Sequence, residues 1–314
     1  MTKIRELMKK INIRENEPMH LHTTFKTGGP ARLFAEPSGP GELTQLLDAA
    51  ALDGYPVFIL GGGANLLVAD KGINALVITT HRMQKIEIIK TENPDSSLLY
   101  AQAGTAVSEA AVMASNSGLA GMEFLHKLPG SVGGAVYMNA RCYGLSLADV
   151  LEEVSFFSPG SKNIEKRTRN DKNFFAEFDY KKSPFQNGCS CAGAVILEAA
   201  FRLTPGNPEE LWKKMRDIEK DRSEKGHFIA PCAGSVFKNN RAFGEPTGRI
   251  LDELGMRGLT LGGAQVSPLH ANIIINTGGA RSADIRRLIE TIQKRAVDER
   301  HIQLEPEIIF VGDW

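Results

Sequence analysis

Two runs of small residues carry the most specific chemistry in this 314-residue chain. The first, Ile59-Leu60-Gly61-Gly62-Gly63-Ala64-Asn65-Leu66-Leu67-Val68, leads from one apolar segment straight into another. Glycines in such a turn allow positive φ and close backbone approach, with N–H groups free to face an anion. The run is not a dinucleotide fingerprint of the G-x-G-x-x-G kind, because Leu66 stands where the third glycine belongs. It also lacks the G-K-[ST] of a P-loop. Alone, it reads equally as a tight strand-to-strand turn. The second run, Leu128-Pro129-Gly130-Ser131-Val132-Gly133-Gly134-Ala135, is followed by Met138-Asn139-Ala140 and Tyr143-Gly144. So many small residues in succession suit backbone packed against something flat or phosphorylated. Two such loops in one domain fit a dinucleotide whose pyrophosphate is held by backbone amides. Glycines that ease packing of the chain on itself are the other reading.

Thiol and imidazole chemistry is less favoured. Cys142, Cys189, Cys191 and Cys232 form no C-x-x-C pair, and Cys189-Ser190-Cys191 is too close for an easy disulfide. The seven histidines are scattered, with no H-E-x-x-H. No metal site is expected, and the thiols read as reduced and structural.

The elements that must position the glycine loops follow from periodicity. From Lys26 to Thr204, short β-rich runs (Val57 to Leu60, Ala75 to Ile78, Ile86 to Ile89, Ala194 to Leu197) alternate with glycine-rich turns. Two helices interrupt them. Residues 42–53 put Leu43, Leu46, Leu47 and Ala50 on one face, and 106–117 repeat this with Val107, Ala110, Ala111 and Ala114 behind a Thr105 cap. A second region begins near Pro205. A charged helix starts at Pro208, buries Leu211, Met215 and Ile218, and ends at Gly226. Another starts at a Ser282 cap and carries Ile285, Leu288, Ile289, Ile292 and Ala296. Leu304 to Val311 reads as a final strand, in which Glu305 and Glu307 share a face. The fold class is α+β, with a boundary near 205.

Composition excludes several function classes. Lys plus Arg and Asp plus Glu are 37 each, so no charge footprint points to nucleic acid or an anionic membrane. No stretch is apolar for long enough to span a bilayer, and residues 1–16 alternate charges with single apolar residues, unlike a signal peptide. A cytoplasmic protein is expected.

Taken together and in order, the motifs resemble those of the UDP-N-acetylenolpyruvoylglucosamine reductase family. Thr23-Thr24-Phe25-Lys26-Thr27-Gly28-Gly29-Pro30-Ala31 is similar to its opening NTFxxGGxA, and the Gly61 to Val68 segment to its GGGSNLLV loop. Gly121 to Gly144 resembles its GxExLxxxPGxVGGAxxMNAGxYG stretch, and Ala233 to Asn239 its GSxFKNP. Gly262-Gly263-Ala264-Gln265-Val266-Ser267, His270-Ala271-Asn272 and Leu304-Glu305-Pro306-Glu307 follow. The simple Tyr180-Lys181-Lys182-Ser183-Pro184-Phe185 segment points to the smaller of two subtypes.

The resemblance implies an FAD-binding domain of the vanillyl-alcohol-oxidase (PCMH) type in two α+β subdomains, spanning 26–204 after an N-terminal segment 1–25. A C-terminal α+β substrate domain, 205–314, sends its final strand back to the flavin. FAD is held non-covalently, NADPH gives the hydride, and the enolpyruvyl group of UDP-N-acetylglucosamine enolpyruvate accepts it in peptidoglycan precursor synthesis. The resemblance assigns FAD to Gly61, Gly62, Gly63, Ala64, Asn65, Leu66, Gly104, Pro129, Gly130, Ser131, Gly133, Gly134 and Asn139. It makes Ser235 the acid that protonates the intermediate, with Glu307 and Lys181 as stabilisers of its charge. Substrate contacts fall to Tyr180, Lys238, Asn239 and Arg222, and the partner is this small molecule alone, bound by a monomer.

The residues themselves leave other readings open. Ala233-Gly234-Ser235 is also an ordinary turn, Cys232 is a second acid three residues away, and Glu307 could be an edge charge. Lys181 stands where the family has arginine, Arg141-Cys142 where it has a small pair, Gly226-His227 where it has Gln-Pro, and Asn240 where it has proline. In an extended segment Lys182 would face away from Lys181. The competing functions are another FAD oxidoreductase of the superfamily and a non-catalytic nucleotide-binding relative.

Overall fold

A computed structural model describes residues 2–8, 10–158, 160–161 and 163–314. The chain divides into two compact units, and neither is continuous in sequence. The first comprises Met1–Arg14, Leu33–Gly62 and Ala75–Glu219; the second comprises Glu15–Arg32, Gly63–Asn74 and Lys220–Trp314. The expected single boundary near 205 gives way to this interleaved division. The reason is packing: Phe25 and Leu67, both early in sequence, are fully buried in the same core as Val236, Phe237, Leu251 and Leu288.

In the first unit, a six-stranded antiparallel sheet runs Ile164–Thr168, Leu151–Phe157, Val195–Pro205, Ser97–Gln102, Ile86–Lys90. Leu119–Ala120 pairs with the far end of the long strand. Only fragments of this sheet show in the sequence, because strands such as Glu-rich Leu151–Phe157 bury residues irregularly. The helix Val107–Asn116 lays Val107, Ala110, Ala111 and Ala114 onto the sheet's core, beside Leu99, Phe156 and Phe201. Its cap is Ala106, without a side-chain bond, and not Thr105. The helix Pro40–Leu52 buries Leu43, Leu46, Leu47 and Ala50 in a second core with Leu33, Leu76 and Ile78. Val57–Leu60 pairs in parallel with the segment ending at Thr79, and delivers the chain to the first glycine loop.

In the second unit, Cys232–Ser235, Ile273–Asn276, Ala264–Val266 and Thr260–Leu261 form an antiparallel sheet in that order. The helix Ser282–Arg300 packs Ile285, Leu288, Ile289 and Ile292 into its core. Ser282 is the first residue of this helix and not its cap. Asp70 instead accepts from the N–H groups of Ser282 and Ala283 at 2.9 and 3.0 Å, and Asp284 accepts from Arg281 N–H at 3.1 Å. A carboxylate at a helix N-terminus satisfies donors that have no intrahelical partner. The expected strand Leu304 to Val311 is shorter: only Ile309–Val311 forms a strand, in parallel with Leu66–Val68. Pro306 interrupts the rest, making a single bridge to Phe237.

Candidate active site

The first unit brings the two glycine runs into contact. A Cβ on Gly61 would sit 2.6 Å from Ser131 Oγ, and one on Gly62 would sit 2.6 Å from Gly130 Cα. Gly104 supports the same region: its Cβ would fall 1.7 Å from the Thr80 carbonyl oxygen, while that of Gly133 would meet Ala103 at 2.9 Å. Close packing of the chain on itself therefore explains these glycines, and of this group only Gly130 has positive φ. Ser131 caps the short helix Val132–Tyr137 by accepting from Gly134 N–H at 3.3 Å. Val132 and Gly133 N–H donate to the carbonyls of Thr105 and Ala103. Those amides are already satisfied by protein. Pro129 is exposed, and a Cβ on Gly134 would meet only Ser131 Oγ, at an ordinary contact distance of 3.5 Å.

The donors left for a ligand lie elsewhere. Among the described residues, neither the Gly61 nor the Gly62 backbone N–H donates to a protein acceptor. The buried hydroxyls of Thr80 and Thr105, 3% and 0% exposed, have no hydrogen-bond partner. Both flank Gly104. Buried polar groups are ordinarily paired, and each orphan costs about 1–3 kcal/mol. Unspent amides in a glycine loop and orphaned hydroxyls beside it are a donor set that fits the pyrophosphate of a dinucleotide. Neither threonine has a sequence signal that distinguishes it from any other.

In the second unit the loop continues through Gly63 at φ +63°, where a Cβ would lie 2.0 Å from His22 O. Thr24 N–H donates to Gly63 O, and the Thr24 and Thr27 hydroxyls are two further buried orphans. Ala64, Asn65 and Leu66 are half-buried. The Asn65 side chain donates to Glu307 O at 3.0 Å, and Ile309 N–H donates to Asn65 O. The final strand thus pairs directly after the glycine loop.

The same unit assembles the proton-handling candidates. Ser235 ends its strand, after Gly234 at φ +71° and a register shift that follows Cys232. Glu307 N–H donates to Val236 O at 2.7 Å, which sets Glu307 beside the residue that follows Ser235. Lys238 N–H donates to Glu305 O at 2.9 Å, and the Lys238 ammonium forms an ion pair with the Glu305 carboxylate. Asn239 Oδ1 accepts from Thr247 N–H. Arg222, 7% exposed, stands 5.9 Å from the Phe228 ring centroid, with its Nε unpartnered. Burial pushes the Cys232 thiol up, making it a weaker acid, and its Sγ faces the His227 carbonyl at 3.7 Å. Burial, and then the Arg222 charge, push the His227 imidazole down to about 4.

Lys181 and Tyr180 belong to the first unit. Asp179 and Lys182 exchange backbone hydrogen bonds of 3.2 and 3.0 Å, so Tyr180 and Lys181 form the corner of a turn. Lys181 has φ +57°, a left-handed conformation uncommon outside glycine. The extended segment expected here is therefore a tight turn, and simple alternation does not separate Lys181 from Lys182. Gln186 Nε2 donates to Lys181 O at 3.0 Å and to Tyr137 O at 2.9 Å, holding the corner. Asn139 is 3% exposed, and both ends of its amide are engaged with protein, with Asp179 O at 2.8 Å and Ala148 N–H at 3.0 Å. Sequence reasoning missed this bracing role, because it depends on segments 40 residues apart.

Known proteins resemble this chain over nearly its whole length. Residues 31–164 match the FAD binding domain family, and 225–311 match the C-terminal domain of UDP-N-acetylenolpyruvoylglucosamine reductase. A UDP-N-acetylenolpyruvoylglucosamine reductase from Treponema denticola is 40% identical over 310 residues, covering 95% of this chain and 93% of that one. Another, from Treponema pallidum, is 36% identical and covers 96% and 94%. Among solved structures, the reductase of Thermus caldophilus superposes with a TM-score of 0.77 at 29% identity, covering 96% of this chain and 99% of that one. Among the described residues no helix is long and apolar enough to cross a membrane.

Proposed function

The chain belongs to the UDP-N-acetylenolpyruvoylglucosamine reductase family, and from that membership we propose how its own residues divide the reaction. The overall reaction reduces the enolpyruvyl group of UDP-N-acetylglucosamine enolpyruvate to UDP-N-acetylmuramate, with NADPH as hydride donor and FAD as cofactor. When bound, FAD supplies hydride carriage that no side chain provides. Within the first unit, the Gly61 and Gly62 amides and the Thr80 and Thr105 hydroxyls are the donors for its pyrophosphate.

Hydride addition to an enol ether that bears a carboxylate builds negative charge on the carbon beside that carboxylate. Two services are required: a positive or hydrogen-bonding partner for the charge, and an acid for the carbon. Lys181, with its ammonium, and Glu307 supply the first, as the family resemblance assigns them. Ser235 supplies the proton from Oγ. The observation that carries this assignment is the 2.7 Å bond from Glu307 N–H to Val236 O, which ties the two motif positions together across 72 residues of sequence. Cys232 is the poorer acid, since burial raises its thiol.

A cytoplasmic, monomeric enzyme with no nucleic-acid partner completes the proposal. Balanced charge and a nucleotide-linked substrate support it, as does the closure of each unit around its own core. The test is anaerobic NADPH oxidation by the purified flavoprotein with and without UDP-N-acetylglucosamine enolpyruvate, with product mass read alongside. Substrate-dependent turnover to UDP-N-acetylmuramate is expected. NADPH oxidation indifferent to the substrate, with no product, would overturn the assignment.

A further inference from the structure

One buried side chain joins the Lys181 turn to a second cation. Asn139 donates to Asp179 O in the turn and accepts from Ala148 N–H, and its backbone is fixed at φ +40°. Two residues later the short strand Arg141–Cys142 pairs with Leu145–Ser146, with Arg141 opposite Ser146. The strut therefore holds Arg141 at a set distance from the turn. The Arg141 guanidinium carbon lies 6.0 Å from the Tyr180 ring centroid, and Lys181 Nζ lies 5.9 Å from the same centroid.

Two cations thus share one phenol ring. Either contact alone is an ordinary cation–π pair, and together they bring a guanidinium and an ammonium to the same ring. Arg141 is exposed, and among the described residues it has no carboxylate within ion-pair distance. Its hydrogen bond, Nη2 to Gly144 O, is long at 3.4 Å. The nearby Asp179 carboxylate accepts from Tyr180 N–H at 2.7 Å. The guanidinium fork is left available to an incoming anion.

We propose that Arg141 binds the carboxylate of the enolpyruvyl group, so that Arg141 orients it while Lys181 neutralises it. This inference rests on the reading that the Lys181 turn meets the substrate. A guanidinium presents two parallel donors to a carboxylate, whereas an ammonium is a point charge. Both positions, 141 and 181, are ones at which this chain departs from the motifs it otherwise follows. The arginine absent at 181 is supplied from 141.

The test compares Arg141→Ala, Arg141→Lys and Lys181→Ala in the holoenzyme. Charged hydrogen bonds of this kind correspond to roughly a tenfold to hundredfold effect. Arg141→Ala should raise KM for UDP-N-acetylglucosamine enolpyruvate by about that factor, with Arg141→Lys falling between. UDP-N-acetylglucosamine carries the diphosphate but no carboxylate, so its inhibition constant should stay at the parent value, as should flavin reduction by NADPH. Equal weakening of UDP-N-acetylglucosamine would overturn the proposal, because the contact would then be to the diphosphate or the turn. Parent-like Arg141→Ala beside an impaired Lys181→Ala would defeat this inference alone. Parent-like behaviour of both would instead defeat the reading of the turn on which it rests.

Discussion

At the scale of single residues, Ser235 and Glu307 differ in how each comes into view. Neither declares itself by type: a serine after glycine is a turn, and a glutamate before isoleucine is an edge charge. Their motif order pairs them, and in the fold one backbone hydrogen bond joins Glu307 to Val236, the residue after Ser235. Replacing Ser235 with alanine should leave flavin reduction by NADPH near the parent rate. Reoxidation by the enolpyruvyl substrate should slow by about 10²- to 10⁴-fold, the usual loss for a positioned general acid. Stopped-flow absorbance separates the two halves, and an unchanged reoxidation rate would remove Ser235 from the mechanism. His227 offers a prediction of another kind. Its imidazole is pushed down to about 4 by burial and by Arg222, from an unfolded value of 6.5. Between those values the unfolded chain binds the proton and the folded chain does not, so stability falls as the pH drops from 6.5 towards 4. Discounted for solvent screening of this partly exposed ring, the loss should reach about 1–2 kcal/mol, and His227→Gln should flatten it in denaturant titrations across that window. An equally steep variant would show that other groups, His270 among them, set the slope. The orphaned hydroxyls of Thr80 and Thr105 were not legible at all, since burial without a partner is a property of the packed site.

At the scale of elements, the sequence was most readable where a face is periodic. The helices Pro40–Leu52, Val107–Asn116, Pro208–Glu224 and Ser282–Arg300 lie within a few residues of their expected bounds. Strands fared unevenly. Val57–Leu60 was plain, but the eleven-residue Val195–Pro205 showed only its start, because its buried residues do not alternate. Helix ends were the weakest reading, and the reason is physical. A cap can come from anywhere in the chain, as Asp70 does for the last helix from 212 residues away. Asp70→Ala should therefore cost about 1 kcal/mol or more, since it strips acceptors from two helix amides. A shift in the urea midpoint without a change in slope is the expected signature, and Asp70→Asn should recover part of it.

At the scale of the whole molecule, the interleaved division matters more than a boundary at one residue. The second unit takes Glu15–Arg32 and Gly63–Asn74 as well as the C-terminal stretch. A polypeptide of residues 205–314 alone lacks Phe25 and Leu67 from its core, and Leu66–Val68 from beside its last strand. It should be unfolded or molten, binding a hydrophobic dye and showing collapsed amide dispersion by NMR. Sharp, dispersed amide signals from that fragment would contradict the division. Composition and motif order foretold the α+β class and the FAD-binding part. They could not foretell which early segments cross over, since that depends on contacts between residues far apart.

The pairing of Leu66–Val68 with Ile309–Val311 has a consequence for biosynthesis. The glycine loop leaves the ribosome long before the strand that closes behind it. Contacts so distant in sequence form late, after local ones have settled. Flavin loading should therefore wait until Ile309–Val311 has emerged, and a nascent protein stalled before that strand should be colourless.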